Sequence, residues 1–176
     1  MDSPEVEMGR QIDIEEYSPT WPKRFEQLRA RIWPAVSHVA VAMEHVGSTA
    51  VEGLAAKPIV DADIIIASPR DFPEIRNLLR GLGYTHKGDL GIEGREAFDC
   101  CDLEFAHHLY VCIEGCAALR NHLILRDHLR SHPDDRREYA KLKRALARQC
   151  GGDIEAYVEG KSEFITAIVD HYDDEP

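Results

Sequence analysis

The segment Lys57–Ala67, K-P-I-V-D-A-D-I-I-I-A, limits what this chain can fold into more than any other stretch. Val60, Ala62, Ile64 and Ile66 alternate with Asp61 and Asp63. Period-two alternation of this kind marks a β-strand with one face against a core. The apolar face needs a layer of helices to cover it. The other face carries two carboxylates at i and i+2, about 6.6 Å apart along a strand. At an effective dielectric near 20, such a pair repels by roughly 2.5 kcal/mol. A hard divalent cation turns that repulsion into binding, and Mg²⁺ takes one or two carboxylates plus substrate phosphates. The plain alternative is a pair of acids on the wet face of a half-exposed sheet.

The remaining periodicities surround this strand with helices. Thr20 can cap a helix in which Trp21, Phe25, Leu28 and Ile32 share a face, and Pro34 predicts its end or redirection. His38–Val46 reads as a strand running into a turn at Gly47-Ser48. Ser68-Pro69 opens a helix bearing Phe72, Ile75, Leu78 and Leu79, which stops at Gly81 or Gly83. Arg95–Phe98 and His107–Ile113 are the best strands of residues 84–113. Ala117–Leu129 is helical, Pro133 starts a helix with Tyr139, Leu142 and Leu146, and Asp153 caps a last helix running through Tyr157 and Ile168. Strands early and helices late predict an α+β fold, a small mixed β-sheet packed against helices with a helical C-terminal third. A length of 176 residues suits one domain, expected over 15–170, with a flexible acidic N-terminus (1–14) and an acidic tail (171–176).

Charge and cysteine usage narrow the function. The net charge of −11 repels a phosphate backbone and argues against a broad nucleic-acid surface. Residues 120–148 run against this trend, with nine Lys or Arg facing four Asp or Glu. That segment is either a solvated helix pair or an anion-binding wall. No apolar stretch approaches the roughly 18 residues of a membrane span, and the N-terminus lacks the basic and apolar regions of a signal peptide. A cytoplasmic protein with free thiols is the expectation. Cys100, Cys101, Cys112 and Cys116 could be combined with His107 and His108 into a zinc site, but no C-x-x-C spacing supports one. Buried small hydrophobes account for these cysteines better. His128 and His132 stand at i, i+4 with no evident third ligand, which favours a place on the helix surface.

Gly47-Ser48 precedes the D-x-D pair by twelve residues. Such a turn exposes backbone N–H groups and a hydroxyl that can hold a phosphate, and Lys57 adds a nearby cation. A G-S turn followed by D-x-D resembles the nucleotidyltransferase superfamily of the polymerase-β type. A longer match is more specific: H-V-G-S-T-A-V-E-G-L-A-A-K-P-I-V-D over His45–Asp61. It continues through Leu82-Gly83-Tyr84, His108–Val111, R-D-H-L-R-S-H-P over Arg126–Pro133, Tyr139–Lys143, and Tyr157 with Lys161 and Phe164-Ile165. These residues resemble the GrpB family over roughly residues 12–169.

That resemblance implies a nucleotidyltransferase-like fold and a relation to domains fused to dephospho-coenzyme A kinase. By position, Gly47 and Ser48 match the superfamily turn, and Asp61 and Asp63 match its metal carboxylates, with Mg²⁺ as the implied cofactor. Glu52 stands where the family usually has Pro, and His128 where Tyr is common. The superfamily's third carboxylate is expected on His107–Ile113, which offers His108 and Tyr110 instead. Glu104 or Asp102 could reach in from the preceding loop, and Arg95 is a further cleft candidate. Arg126 and Arg130, one turn apart on a helix, are expected to close the opposite wall with guanidinium groups suited to phosphate. The implied activity is Mg²⁺-dependent nucleotidyl or phosphoryl transfer from a nucleoside triphosphate, ATP in the first instance, to a small acceptor. The alternative is a non-catalytic ligand-binding or accessory domain on the same scaffold.

Overall fold

The structure is a computed structural model that describes residues 11–100 and 103–173. Among the described residues, five strands form one sheet: β1 (Ala42–Val46), β2 (Val60–Ile66), β3 (Thr85–Gly88), β4 (Arg95–Asp99) and β5 (His107–Ile113). Their order is β1-β2-β5-β4-β3, with β2 and β5 parallel and every other pair antiparallel. The described residues also form the α-helices α1 (Thr20–Val36), α2 (Phe72–Gly81), α3 (Ala117–Ser131), α4 (Pro133–Gln149), α5 (Ile154–Glu159) and α6 (Ser162–Asp173). The fold is α+β, with its helical third at the C-terminal end. Among the described residues, no helix is long and apolar enough to cross a membrane.

The alternation in β2 decides the layering. Val60, Ala62, Ile64 and Ile66 pack with Leu109, Val111 and Phe98 against Phe25, Leu28 and Ile32 of α1 and Ile75 and Leu79 of α2. At about 1.5–3 kcal/mol for each large apolar side chain, this is the dominant core. On the opposite face, α3 sets Leu119 against Ile65 and Cys112, leaving the Asp61 end of the strand open. A second apolar cluster joins Val51 and Leu54 to Leu129, Tyr139 and Ile168, and ties the loop after β1 to the C-terminal helices.

Several boundaries differ from the sequence reading. Pro34 lies inside α1, which runs on to Val36. Ile32 and Val36 are both fully buried, and their burial offsets the roughly 3 kcal/mol cost of an interior proline. The strand expected from His38 starts only at Ala42, because the N–H groups of Val39 and Ala40 both donate to Val36 O as the chain leaves the helix. The last helix is two, α5 and α6, divided at Gly160, where a Cβ would lie 2.5 Å from the Leu146 side chain. Order also begins before residue 15: Ile12 is buried against Ala147 and Tyr157. Cys100, Cys112, Cys116 and Cys150 are free thiols.

Candidate nucleotide and anion site

The loop after β1 is built around one glycine. Gly47 adopts φ +71 and ψ −173, a region open essentially to glycine alone. A Cβ there would stand 2.3 Å from Asp61 Oδ2, so the glycine lets the carboxylate press directly on the turn. The chain then makes a single 3₁₀ turn, Ser48–Ala50. Buried Thr49 hydrogen-bonds through Oγ1 to His45 Nε2 at 3.0 Å. The His45 ring stacks on Phe25 at 4.7 Å. Burial lowers the His45 pKa to about 4, with Arg130 and Arg126 assisting and Asp61 opposing. His45 is therefore neutral at physiological pH and acts as a rigid support for the turn.

In front of this turn lies a cavity of about 220 Å³, whose lining includes Ser48, Thr49, Asp61, Lys57, Lys143 and Lys161. Lys143 comes from α4 and is only 2% exposed. Its Nζ donates to Ser48 Oγ at 2.9 Å and to Ala55 O at 2.5 Å, both neutral acceptors. Burial lowers its pKa to about 7, and Lys161, Arg144 and Lys57 push the same way against Asp61. Lys161 is lowered to about 8 by burial and by Lys57. The Nζ atoms of Lys161 and Lys57 lie 4.6 Å and 5.4 Å from the centre of the Tyr157 ring. Three lysine side chains converge on a space where Asp61 is the one carboxylate among the described residues. The wall lacks negative charge of the kind a bound polyanion supplies.

The expected carboxylate pair shares one face of β2, but the two groups are not equivalent. Asp61 reaches the cavity, where its Oδ1 pairs with His108 Nδ1 at 2.8 Å. Asp63 is fully buried beneath α3 and does not open into the cavity as the alternation alone suggests. Its Oδ2 pairs with His122 Nδ1 at 2.7 Å, while its Oδ1 is buried with no hydrogen-bond donor among the described residues. The register places His108 beside Asp61 and Tyr110 beside Asp63, so β5 presents no third carboxylate. His108 and Tyr110 both line the cavity, and burial, with Asp61 adding, raises the Tyr110 pKa to about 12. Arg95 lies 4.4 Å over the Tyr110 ring, outside the cavity lining. Glu104 is exposed in the bend before β5, also outside that lining, and Asp102 lies outside the described residues.

Arg126 and Arg130 do not close this cavity. Arg126 donates to Glu44 Oε2 (2.7 Å), His45 O (3.1 Å) and both Asp127 oxygens, and so braces α3 against β1. Arg130 donates through Nε and Nη2 to Ala50 O and faces a second space behind the turn. The basic segment does supply a cavity cation, but it is Lys143. Sequence reasoning missed Lys143 and Lys161 because helix lysines ordinarily sit in water. A signal for the first was present: Tyr139, Lys143 and Ala147 follow i, i+4, i+8 and share one buried stripe of α4.

The donor set bears on which metal the site could hold. Among the described residues, no three His, Cys, Asp or Glu side chains cluster as a metal cage. Asp61 opens into the cavity and fits Mg²⁺ completed by phosphate oxygens and water, while Asp63, whose Oδ1 lacks a donor among the described residues, stays buried beside it on the strand. They do not fit a closed all-protein site.

A family model described as GrpB protein matches residues 11–171. The UPF0157 protein YqkA of Bacillus subtilis is 35% identical over 156 residues, covering 89% of this chain and 46% of that protein. The UPF0157 protein PA4798 of Pseudomonas aeruginosa is 37% identical over 160 residues, covering 90% and 66%. This chain thus spans less than two thirds of either relative. A dephospho-CoA kinase of Mycolicibacterium paratuberculosis is 27% identical, covering 81% of this chain and 41% of the kinase. Among solved structures, the conserved protein GrpB from Enterococcus faecalis superposes with a TM-score of 0.80 at 28% identity, covering 90% and 96% of the two chains. The GLD-2/RNP-8 complex matches with a TM-score of 0.58 at 14% identity, covering 92% and 62%. Cid1 poly(U) polymerase with bound MgGTP gives 0.51 at 14%, covering 77% and 44%. These last two likenesses concern the fold.

Proposed function

The chain belongs to the GrpB family, and from that premise we propose that the Asp61–Lys143 cavity binds the phosphates of a nucleoside triphosphate with Mg²⁺, for nucleotidyl or phosphoryl transfer to a small acceptor. The observation that carries this reading is Lys143. A lysine 2% exposed, hydrogen-bonded only to neutral oxygens and flanked by two more lysines, is costly unless an anion completes the site. The polymerase-like fold, and the MgGTP bound by Cid1 in that fold, support a nucleotide as that anion.

Each residue then has a part. Lys57, Lys143 and Lys161 neutralise the phosphate oxygens, and Ser48 donates to one of them while its own oxygen accepts from Lys143. Asp61, backed by Asp63, would hold Mg²⁺. Mg²⁺ supplies Lewis-acid stabilisation of charge developing on phosphate oxygens. His108 orients the Asp61 carboxylate through its 2.8 Å bond, and His122 does the same for Asp63. His45 and Thr49 hold the turn rigid behind them. Preorganised charge of this kind is the usual source of phosphoryl-transfer catalysis.

One observation favours the second reading, a ligand-binding accessory domain: β5 faces Asp61 with His108 and not with a carboxylate. Nucleotide consumption separates the two readings, since both bind but one turns over. The test of the common core is thermal stability with ATP, GTP, CTP and UTP, with and without Mg²⁺. A ligand at 100 times its Kd adds about 2.7 kcal/mol, or roughly 5–10 °C for a chain this size. No shift with any nucleotide at millimolar concentration would defeat the proposal.

A further inference from the structure

The Ser48–Ala50 turn has a second cavity behind it, of about 680 Å³, and we propose that this is a subsite for a small acceptor bearing a carboxylate or phosphate group. The acceptor role rests on the nucleotide reading above; the anion subsite itself rests on the following geometry.

Thr49 lines both cavities, so the two adjoin at this turn. Behind it stand Arg130 of α3 and Arg136 of α4. Their state differs from that of Arg126, whose guanidinium is spent on two carboxylates and a carbonyl. Arg130 bonds the turn itself, with Nε and Nη2 on Ala50 O at 3.0 and 2.8 Å, and its nearest carboxylate oxygen, on Asp127, lies 3.5 Å from Nη1. The turn carbonyl fixes the orientation of the guanidinium, while the side chain stays 46% exposed. Arg136 has one long bond, Nη1 to Leu129 O at 3.5 Å, and no ion pair among the described residues. Two guanidinium groups with unspent donors at one cavity match the flat, multi-oxygen face of a carboxylate or phosphate.

The rest of the lining defines the ligand further. Glu52 is the single acid there; it is exposed and forms no ion pair with either arginine among the described residues. The wall therefore keeps a net positive charge. Tyr17 and Pro22 supply an apolar side, which an inorganic ion leaves unused and the carbon frame of an organic acid covers. An acceptor seated here lies beside the turn that also presents Ser48 to the nucleotide phosphates.

The experiment is an NMR titration of the full chain with succinate and with inorganic phosphate, reading the Nε–H signals of Arg130 and Arg136 assigned through R130K and R136K. The expected result is that at least one probe moves both signals with a single Kd, weakened roughly tenfold or more in R136M. Calorimetric ATP affinity of R136M should stay within about twofold of wild type, as for uncoupled sites. The stronger probe distinguishes a carboxylate from a phosphate acceptor. No shift with either probe, an unchanged Kd in R136M, or an equal loss of ATP affinity in R136M would each overturn the separate subsite. Failure of the wild type to bind ATP would overturn the nucleotide reading, and with it the acceptor role, while the arginine shifts still decide the anion subsite.

Discussion

Replacing Lys143 with methionine should make the protein more stable and less able to bind an anion. The Lys143 pKa falls from 10.5 to about 7 on folding, chiefly through burial. At about 1.4 kcal/mol per tenfold change in proton affinity, the charged side chain costs the native fold on the order of 4 kcal/mol at neutral pH. Methionine removes that cost, fills similar space, and leaves the Ala55 carbonyl without its 2.5 Å donor. A buried unpaired carbonyl costs about 1–3 kcal/mol, so the net gain is about 1–3 kcal/mol, or roughly 3–10 °C in Tm. The pH dependence follows with a definite sign. Between about pH 7 and 10.5 the unfolded chain holds the Lys143 proton and the native fold does not, so wild-type stability rises with pH across that window. Below about 7 both states hold it and the penalty is complete. Urea denaturation at a series of pH values should show a positive slope in the wild type and a flatter one in K143M. A K143M protein no more stable than wild type near pH 6.5, together with a flat wild-type profile, would refute the reasoning.

Three further outcomes follow. Nucleotide affinity should fall as pH rises from about 7 to 9, because Lys143 and Lys161, lowered to about 7 and about 8, lose charge there. Calorimetry at pH 8 in buffers of different ionisation enthalpy should register net proton uptake on binding. Gly47→Ala should cost about 1–3 kcal/mol for its backbone conformation and displace Asp61, weakening nucleotide binding beyond the stability loss; a variant that binds normally would contradict the close approach. His122→Ala leaves the fully buried Asp63 carboxylate without its α3 partner, and should destabilise by about 3–5 kcal/mol in urea denaturation.

Much of the fold was legible because its informative segments are short and strictly periodic. His107–Ile113 is β5 without adjustment, and Val60–Ile66 lies inside the segment read as a strand. The GrpB resemblance placed Gly47, Ser48, Asp61 and Asp63 on one scaffold, and their contacts now give each a physical reason. The misreadings arose where a distant partner decides. Nothing near Arg126 announces that, besides the adjacent Asp127, it pairs with Glu44 on a strand 82 residues away. Alternation put Asp63 on the right face but could not show α3 closing over it with His122. Lys143 and Lys161 looked like ordinary helix charges, since what sets Lys143 apart is its contact with Ser48 and Ala55, 95 and 88 residues away, and Lys161 joins it only as lining of the same cavity. Pro34 misled for the opposite reason, a local rule overruled by the burial of Ile32 and Val36.

The central claim is that Asp61 and the cavity lysines together hold a Mg²⁺–nucleotide. Its most direct test is calorimetric titration of the full chain with ATP, with and without Mg²⁺, in wild type and in Asp61→Asn, which keeps the shape of the side chain and removes its charge. The account predicts binding that weakens roughly tenfold or more without Mg²⁺ in the wild type, and loss of that metal dependence in Asp61→Asn. Equal affinity with and without Mg²⁺, or an Asp61→Asn protein with the wild-type metal response, would contradict it.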